Sequence, residues 1–98
     1  MVNQLTLSGE VTSLEPLRYT PAGIPIVSFR LRHTSIQDEA GMKRQADCEV
    51  PVVAMAEMAD KAKTLQVGDS IKVLGFLTKK SLKNDRLVLH VTKLDQLT

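Results

Sequence analysis

Two runs of strict period-two alternation flank a short turn signal between Ser35 and Pro51, and no other feature constrains the fold as tightly. Ahead of the turn, Val27, Phe29, Leu31 and His33 share one parity while Ser28, Arg30 and Arg32 take the other. After it, Ala46, Cys48, Val50 and Val52 alternate with Gln45, Asp47 and Glu49. A repeat of two is that of a half-buried strand. Asp38-Glu39-Ala40-Gly41 supplies a side-chain acceptor to open a bend and a glycine for a left-handed closing residue. Facing residues of a hairpin share one side of the sheet, so the apolar sets also specify an offset. Paired residue numbers are expected to add to 79, with Phe29 opposite Val50 and Leu31 opposite Cys48 on the buried side. Arg30 then faces Glu49 and Arg32 faces Asp47 on the outer side. A total of 80 is rejected because it sets Leu31 against Glu49. On this reading Arg30 and Arg32 are cross-strand partners more than free ligands, and Cys48 is a buried, inert thiol.

The remaining chain reads as further strands around one helix. Leu5, Leu7, Gly9 and Val11 alternate with Thr6, Ser8 and Glu10, giving a first strand with a glycine at a bend and Pro16 as its terminator. Thr20-Pro21-Ala22-Gly23 is a turn into the second strand. Met55, Met58, Ala59, Ala62 and Leu65 have helical spacing. Val67-Gly68-Asp69 then opens a fourth strand in which Ile71, Val73, Gly75 and Leu77 alternate with Lys72, Leu74, Phe76 and Thr78. A fifth strand is expected from Leu87 to Leu94. Between these two lies Lys79 to Arg86, read as a hairpin loop with four cations and one anion.

A chain of 98 residues makes a single domain spanning 1–98, with one core. Its net charge of +2 permits a polyanionic partner without requiring one. No apolar run approaches a bilayer span, and the first residues lack both a basic leader and a continuous apolar stretch, so a cytoplasmic location is expected. One cysteine rules out an internal disulfide framework. Three strands, a helix and two more strands is the order of a five-stranded Greek-key barrel of the OB type, an all-β class with one short helix.

The residues go further than a fold class. Asn3, Leu7-Ser8-Gly9, Pro16-Leu17-Arg18, Gly23-Ile24-Pro25, His33, Glu39-Ala40-Gly41, Arg44-Gln45-Ala46, Pro51-Val52, Gly75-Phe76, Lys83-Asn84 and Val88-Leu89-His90 form an ordered set running nearly end to end. In this set the chain resembles the PriB (primosomal replication protein N) family, relatives of single-stranded DNA-binding proteins. The resemblance implies a homodimeric OB protein that binds single-stranded DNA and works with a PriA-like replication-restart helicase and helicase-loading factors. It also implies where DNA is held. Lys83 matches a family lysine, Lys80 lies beside other implicated loop positions, and Arg86 stands near the place of a lysine before the last strand; Lys79 belongs to the same loop. Arg18 beside Tyr19, and Arg44 beside Lys43, extend a cationic track, with Arg44 open to either a phosphate contact or a structural hydrogen bond. Enteric-type members carry an aromatic where this chain has Met42 and a tryptophan where it has Asp47, so two stacking surfaces are absent and Tyr19 replaces them only in part. Binding is therefore expected to be more electrostatic, since base stacking is worth about 1–3 kcal/mol per base.

No chemistry is legible. His33 and His90 lack close His, Cys or carboxylate companions for a metal, no serine has a triad context, and no glycine-rich phosphate cradle is present, so neither metal, cofactor nor enzyme activity is expected. Two other readings stay open. One is an RNA-binding OB module; the other is a protein-interaction module with incidental DNA contact. A charged loop that only keeps a hairpin end soluble is the plain alternative for Lys79 to Arg86.

Overall fold

A computed structural model describes residues Met1–Thr98. Six strands, β1 (Leu5–Leu14), β2 (Arg18–Tyr19), β3 (Pro25–Glu39), β4 (Met42–Met55), β5 (Ser70–Ser81) and β6 (Asn84–Gln96), form one sheet, with α1 (Glu57–Ala62) between β4 and β5. Neighbours run β1-β5-β6-β4-β3-β2, and β1 also pairs with β3, so five long strands close into a barrel with β2 on its rim. The closure is of the OB type. The β4–β6 contact is parallel and brief, through Val52–Leu89 and Val53–His90, whereas the other pairings are antiparallel.

The alternation seen in the sequence becomes the barrel wall. Val11, Leu31, Ile71, Val73 and Leu89 have no exposed surface, and Phe29 and Val52 have almost none. Burying such side chains contributes about 1.5–3 kcal/mol each. The helix closes the core by packing against β3, β4 and β6, with Ala59, Ala62 and the following Leu65 buried. It is shorter than its apolar spacing suggests: Met55 ends β4, and Ala56 turns the chain at φ 56° before α1 begins.

Two glycines allow the walls to meet. A Cβ at Gly9 would collide with the Arg32 carbonyl, and one at Gly75 with the His90 carbonyl. Gly9 lies where β1 passes from β5 to β3, and Gly75 sits at a register shift between β5 and β6. Only glycine permits backbones to approach this closely at a bend. Asn3 extends the closure at the other end of β1, donating from Nδ2 to the Leu77 carbonyl (2.7 Å) and accepting from the Leu77 amide (3.0 Å).

The central hairpin differs from the expected offset. Its paired residues add to 81: Phe29 faces Val52, Leu31 faces Val50, Arg32 faces Glu49 and His33 faces Cys48. The turn is Ala40-Gly41, both at positive φ (53° and 78°), the tight two-residue form whose twist suits antiparallel strands. A total of 79 would centre the turn on Glu39-Ala40 and move glycine out of the position that needs it. The shift is two residues, so every side chain keeps its expected face. Its partner changes. Cys48 is consequently exposed, because the hairpin runs past the barrel and its inward parity has no core beneath it beyond Leu31 and Val50. His33 bridges the gap left there: Nδ1 donates to the Ser8 carbonyl (2.6 Å), leaving Nε2 to accept from the Ser35 hydroxyl (2.7 Å).

The segment Lys79 to Arg86 is not a loop. Strand β5 continues to Ser81 and β6 begins at Asn84, leaving Leu82-Lys83 as the turn, with a register shift between Lys79 and Ser81. The fifth long strand is therefore longer than Leu87–Leu94, and the short strand β2 occupies the connection holding Arg18 and Tyr19.

Gly75→Ala is expected to lower the unfolding free energy by about 1–3 kcal/mol, the usual penalty of overpacking, because the new methyl meets a carbonyl rather than a flexible side chain. Urea unfolding followed by circular dichroism checks this. An unchanged midpoint and slope would show that the β5–β6 approach is looser than described.

Candidate nucleic-acid interface

Outer-facing positions of β3, β4 and β6 carry a groove of about 600 Å³. The pairings place Ser28, Val53, His90 and Phe76 in one row across four strands, and Arg30 with Pro51 in the next. The floor is mixed apolar and hydroxyl. Its rim is cationic: Arg18 comes from β2, while Lys80 and Arg86 come from the β5–β6 hairpin. None of these three has a carboxylate within 4.0 Å among the ion pairs of the protein. Glu15 and Arg30 also line the groove, and Arg30 is engaged through Nε with Glu49. The groove thus lies between the connection after β1 and the β5–β6 hairpin, over β3 and β4, which is the ligand face of OB folds.

The other sequence-derived cations have different settings. Lys83 stands at the Leu82-Lys83 turn, exposed and without a carboxylate partner. Lys79 lies 4.0 Å from Asp85. On the central hairpin, Lys43 pairs with Asp38 (2.7 Å) and Arg44 with Glu39 (3.1 Å), so both cations bring their own counter-charges. Arg44 is exposed at the hairpin tip and donates to Glu39 there. Tyr19 is 67% exposed and is not part of the groove lining. Arg18, Lys80 and Arg86 are therefore gathered at one place, whereas Lys43 and Arg44 belong to the hairpin tip.

The arginine ladder follows the true register. Arg30 reaches diagonally to Glu49, as its expected pairing required, although Pro51 is its direct neighbour. Arg32 meets Glu10 of β1 (3.4 Å) rather than Asp47. Asp47 instead accepts hydrogen bonds from the Thr34 hydroxyl (2.8 Å) and the Gln45 amide (3.0 Å). These bonds, Thr34 first and Gln45 second, hold its carboxyl below the ordinary aspartate range. Asp47 thus stays a fixed negative charge at neutral pH, where the resemblance places a tryptophan in relatives.

Sequence reasoning passed over one aromatic element. Phe76, 39% exposed, stacks on His90 with ring centroids 5.3 Å apart and planes 13° apart. The two residues are direct cross-strand partners on β5 and β6, and His90 lines the groove. The signal was the outward parity of Phe76 in β5; the partner could be known only once the β5–β6 register was fixed.

These features define a class: a small OB barrel whose cationic groove and aromatic pair suit a flexible, single-stranded polyanion. Residues 3–93 match the model of a single-strand binding protein family. The replication restart protein PriB of Nitrosomonas europaea is 43% identical over 89 residues, covering 91% of this chain and 82% of that protein. The solved structure of PriB from Ralstonia solanacearum superposes with a TM-score of 0.89 at 30% identity, over 100% of both chains. A single-stranded DNA binding protein from Thermus aquaticus matches at TM-score 0.80 and 27% identity, covering 99% of this chain and 50% of that one. The chain belongs to the single-strand binding protein family and, within it, groups with the replication restart protein PriB. It is a binding protein, not an enzyme.

A carboxyl pKa depressed by folding adds stability that is present above the unfolded value and is lost as pH falls through the folded one. Asp47 is accordingly expected to titrate below a free aspartate, and Thr34→Val should move it upward. Carboxyl NMR titration of both proteins checks this; equal values would show that the Thr34 bond is not formed in solution.

Proposed function

We propose that this chain binds single-stranded DNA in replication restart, using the groove between β2 and the β5–β6 hairpin. The observation that carries the reading is the convergence of Arg18, Lys80 and Arg86, none of them paired to a carboxylate, on the rim of an open groove. Phosphates need cations that are not already neutralised, and contacts of this kind give affinity without reading sequence. Lys83 extends the rim at the turn. The Phe76–His90 stack offers a base one π-surface within the row that runs through the groove. Lys43 and Arg44 contribute less, because each exchanges a carboxylate for a phosphate; exposed pairs are worth only about 0–1 kcal/mol, so the exchange is possible but yields little. Lys79 is in the same position with respect to Asp85.

The bridging role rests on kinship with PriB. The chain acts as a cytoplasmic homodimer that joins single-stranded DNA to a PriA-like helicase and helicase-loading factors. Static light scattering at micromolar concentration, expected to give twice the chain mass, tests the dimer. Pull-down of the purified helicase with and without DNA tests the bridge.

Fluorescence anisotropy against salt tests the groove. Lys80→Ala/Arg86→Ala should weaken binding and flatten the log–log salt dependence by about 1.4, at about 0.7 per lost contact. Lys43→Ala/Arg44→Ala should change it less. Asp47→Trp should tighten binding by restoring a stacking surface. Parent-like binding by the Lys80/Arg86 variant would move the function to protein contacts, and equal or tighter binding of matched RNA would make the domain an RNA module.

A further inference from the structure

The outer parity of β5 does not stop at the groove. Opposite the buried Ile71, Val73 and Gly75, the residues facing outward are Phe76, Leu74 and Lys72. Their partners on β6 are His90, Lys93 and Asp95, and Leu74 also faces Thr6 of β1. Thr6, Lys72, Leu74, Lys93 and Asp95 line a second, shallow depression of about 130 Å³. Neither Lys72 nor Lys93 has a carboxylate within 4.0 Å, although Asp95 is the register partner of Lys72.

The order along the hairpin is therefore Lys80 with Arg86, then Phe76 on His90, then Leu74 with Lys93, then Lys72. From Lys80 to Lys72 this covers roughly 26 Å at about 3.3 Å per strand residue. The sequence places free cations at both ends and an aromatic pair between them, on one continuous surface. The depression by itself is too shallow to enclose a small ligand. Its continuity with the groove suits a chain-like polyanion with a phosphate at every unit, which gains from each further cation it passes.

We propose that the nucleic-acid path continues beyond the groove, over Phe76 and His90, onto the β1–β5–β6 face, where Lys93 and Lys72 hold phosphates of the same strand. This rests on the groove being the primary site. The second segment is engaged only by strands long enough to leave the groove, and Asp95 limits how closely a phosphate settles beside Lys72. The occupant is a single strand; a duplex cannot follow a surface that bends around a barrel this small.

The experiment compares two oligonucleotides of mixed sequence, about 6 and about 16 nucleotides long, near the short and long ends of OB-fold site sizes of about 4–16 nucleotides. Lys72→Ala/Lys93→Ala should flatten the log–log salt dependence of the longer one by about 1.4 and leave that of the shorter one unchanged. Lys61→Ala/Lys63→Ala, which removes the same charge from the helical end of the barrel, should leave both unchanged. Asp95→Asn should tighten the longer oligonucleotide alone. An unaltered slope with Lys72→Ala/Lys93→Ala, or the same loss with Lys61→Ala/Lys63→Ala, would overturn the extended path. Failure of the groove is read separately, from Lys80→Ala/Arg86→Ala on the shorter oligonucleotide. If that variant keeps the parent slope, the primary site and its extension fall together. Thermal unfolding of each variant should match the parent, because the substituted side chains are on the surface.

Discussion

The close approach of backbones at Gly9 and Gly75 is the constraint on which the rest of the molecule depends. At each, a strand bends against a carbonyl of its neighbour, Arg32 or His90, at a distance that leaves no room for a Cβ. Without these bends a sheet of this length stays open, since barrel closure requires the strands to tilt and coil. With them, Val11, Leu31, Ile71, Val73 and Leu89 meet in one interior with no exposed surface. The bend at Gly75 also lies next to Phe76, so the device that closes the barrel places an aromatic ring on its outside. The packed interior and the outer Phe76–His90 stack are products of one local feature.

Charge is distributed by the same geometry. The central hairpin has to survive beyond the barrel without a core, and it does so by pairing Asp38 with Lys43 and Glu39 with Arg44 across its strands, with Thr34 and Gln45 each donating to Asp47. Such contacts are individually weak, but they neutralise the tip. The β5–β6 hairpin and β2 carry fewer carboxylates, leaving Arg18, Lys80, Lys83 and Arg86 without partners. The local concentration of unpaired positive charge in a protein with a net charge of only +2 comes from this separation rather than from its total.

A groove of mixed floor with a cationic rim suits sequence-tolerant binding. Phosphate contacts are indifferent to the base, and an aromatic surface such as Phe76 on His90 accepts any base. The hairpin, with Met42 and Asp47, adds no such surface. On the proposed reading, affinity leans on ionic terms, which fall with salt.

Period-two alternation and turn residues determined the order of the long strands, the buried parity of the first four of them and, with the helical spacing of Met58 to Leu65, the OB class, because inward and outward positions are a property of the chain read two residues at a time. They also marked Arg18, Lys80, Lys83 and Arg86 as cations near turns. Partnership was another matter. Totals of 79 and 81 satisfy the hydrophobic pattern equally, and the choice was made by the dihedral demands of Ala40-Gly41, which moved Arg32 from Asp47 to Glu10. Cys48 has inward parity in either register, but parity does not say where the core ends; only the barrel's length along β3 and β4 leaves it exposed. The strand extensions through Lys79–Ser81 and Asn84–Arg86, the neutralisation of Lys43 and Arg44, and the stack of Phe76 on His90 all depend on which residues of two strands come to face each other at a set distance. That is decided by register and closure, which no local pattern contains.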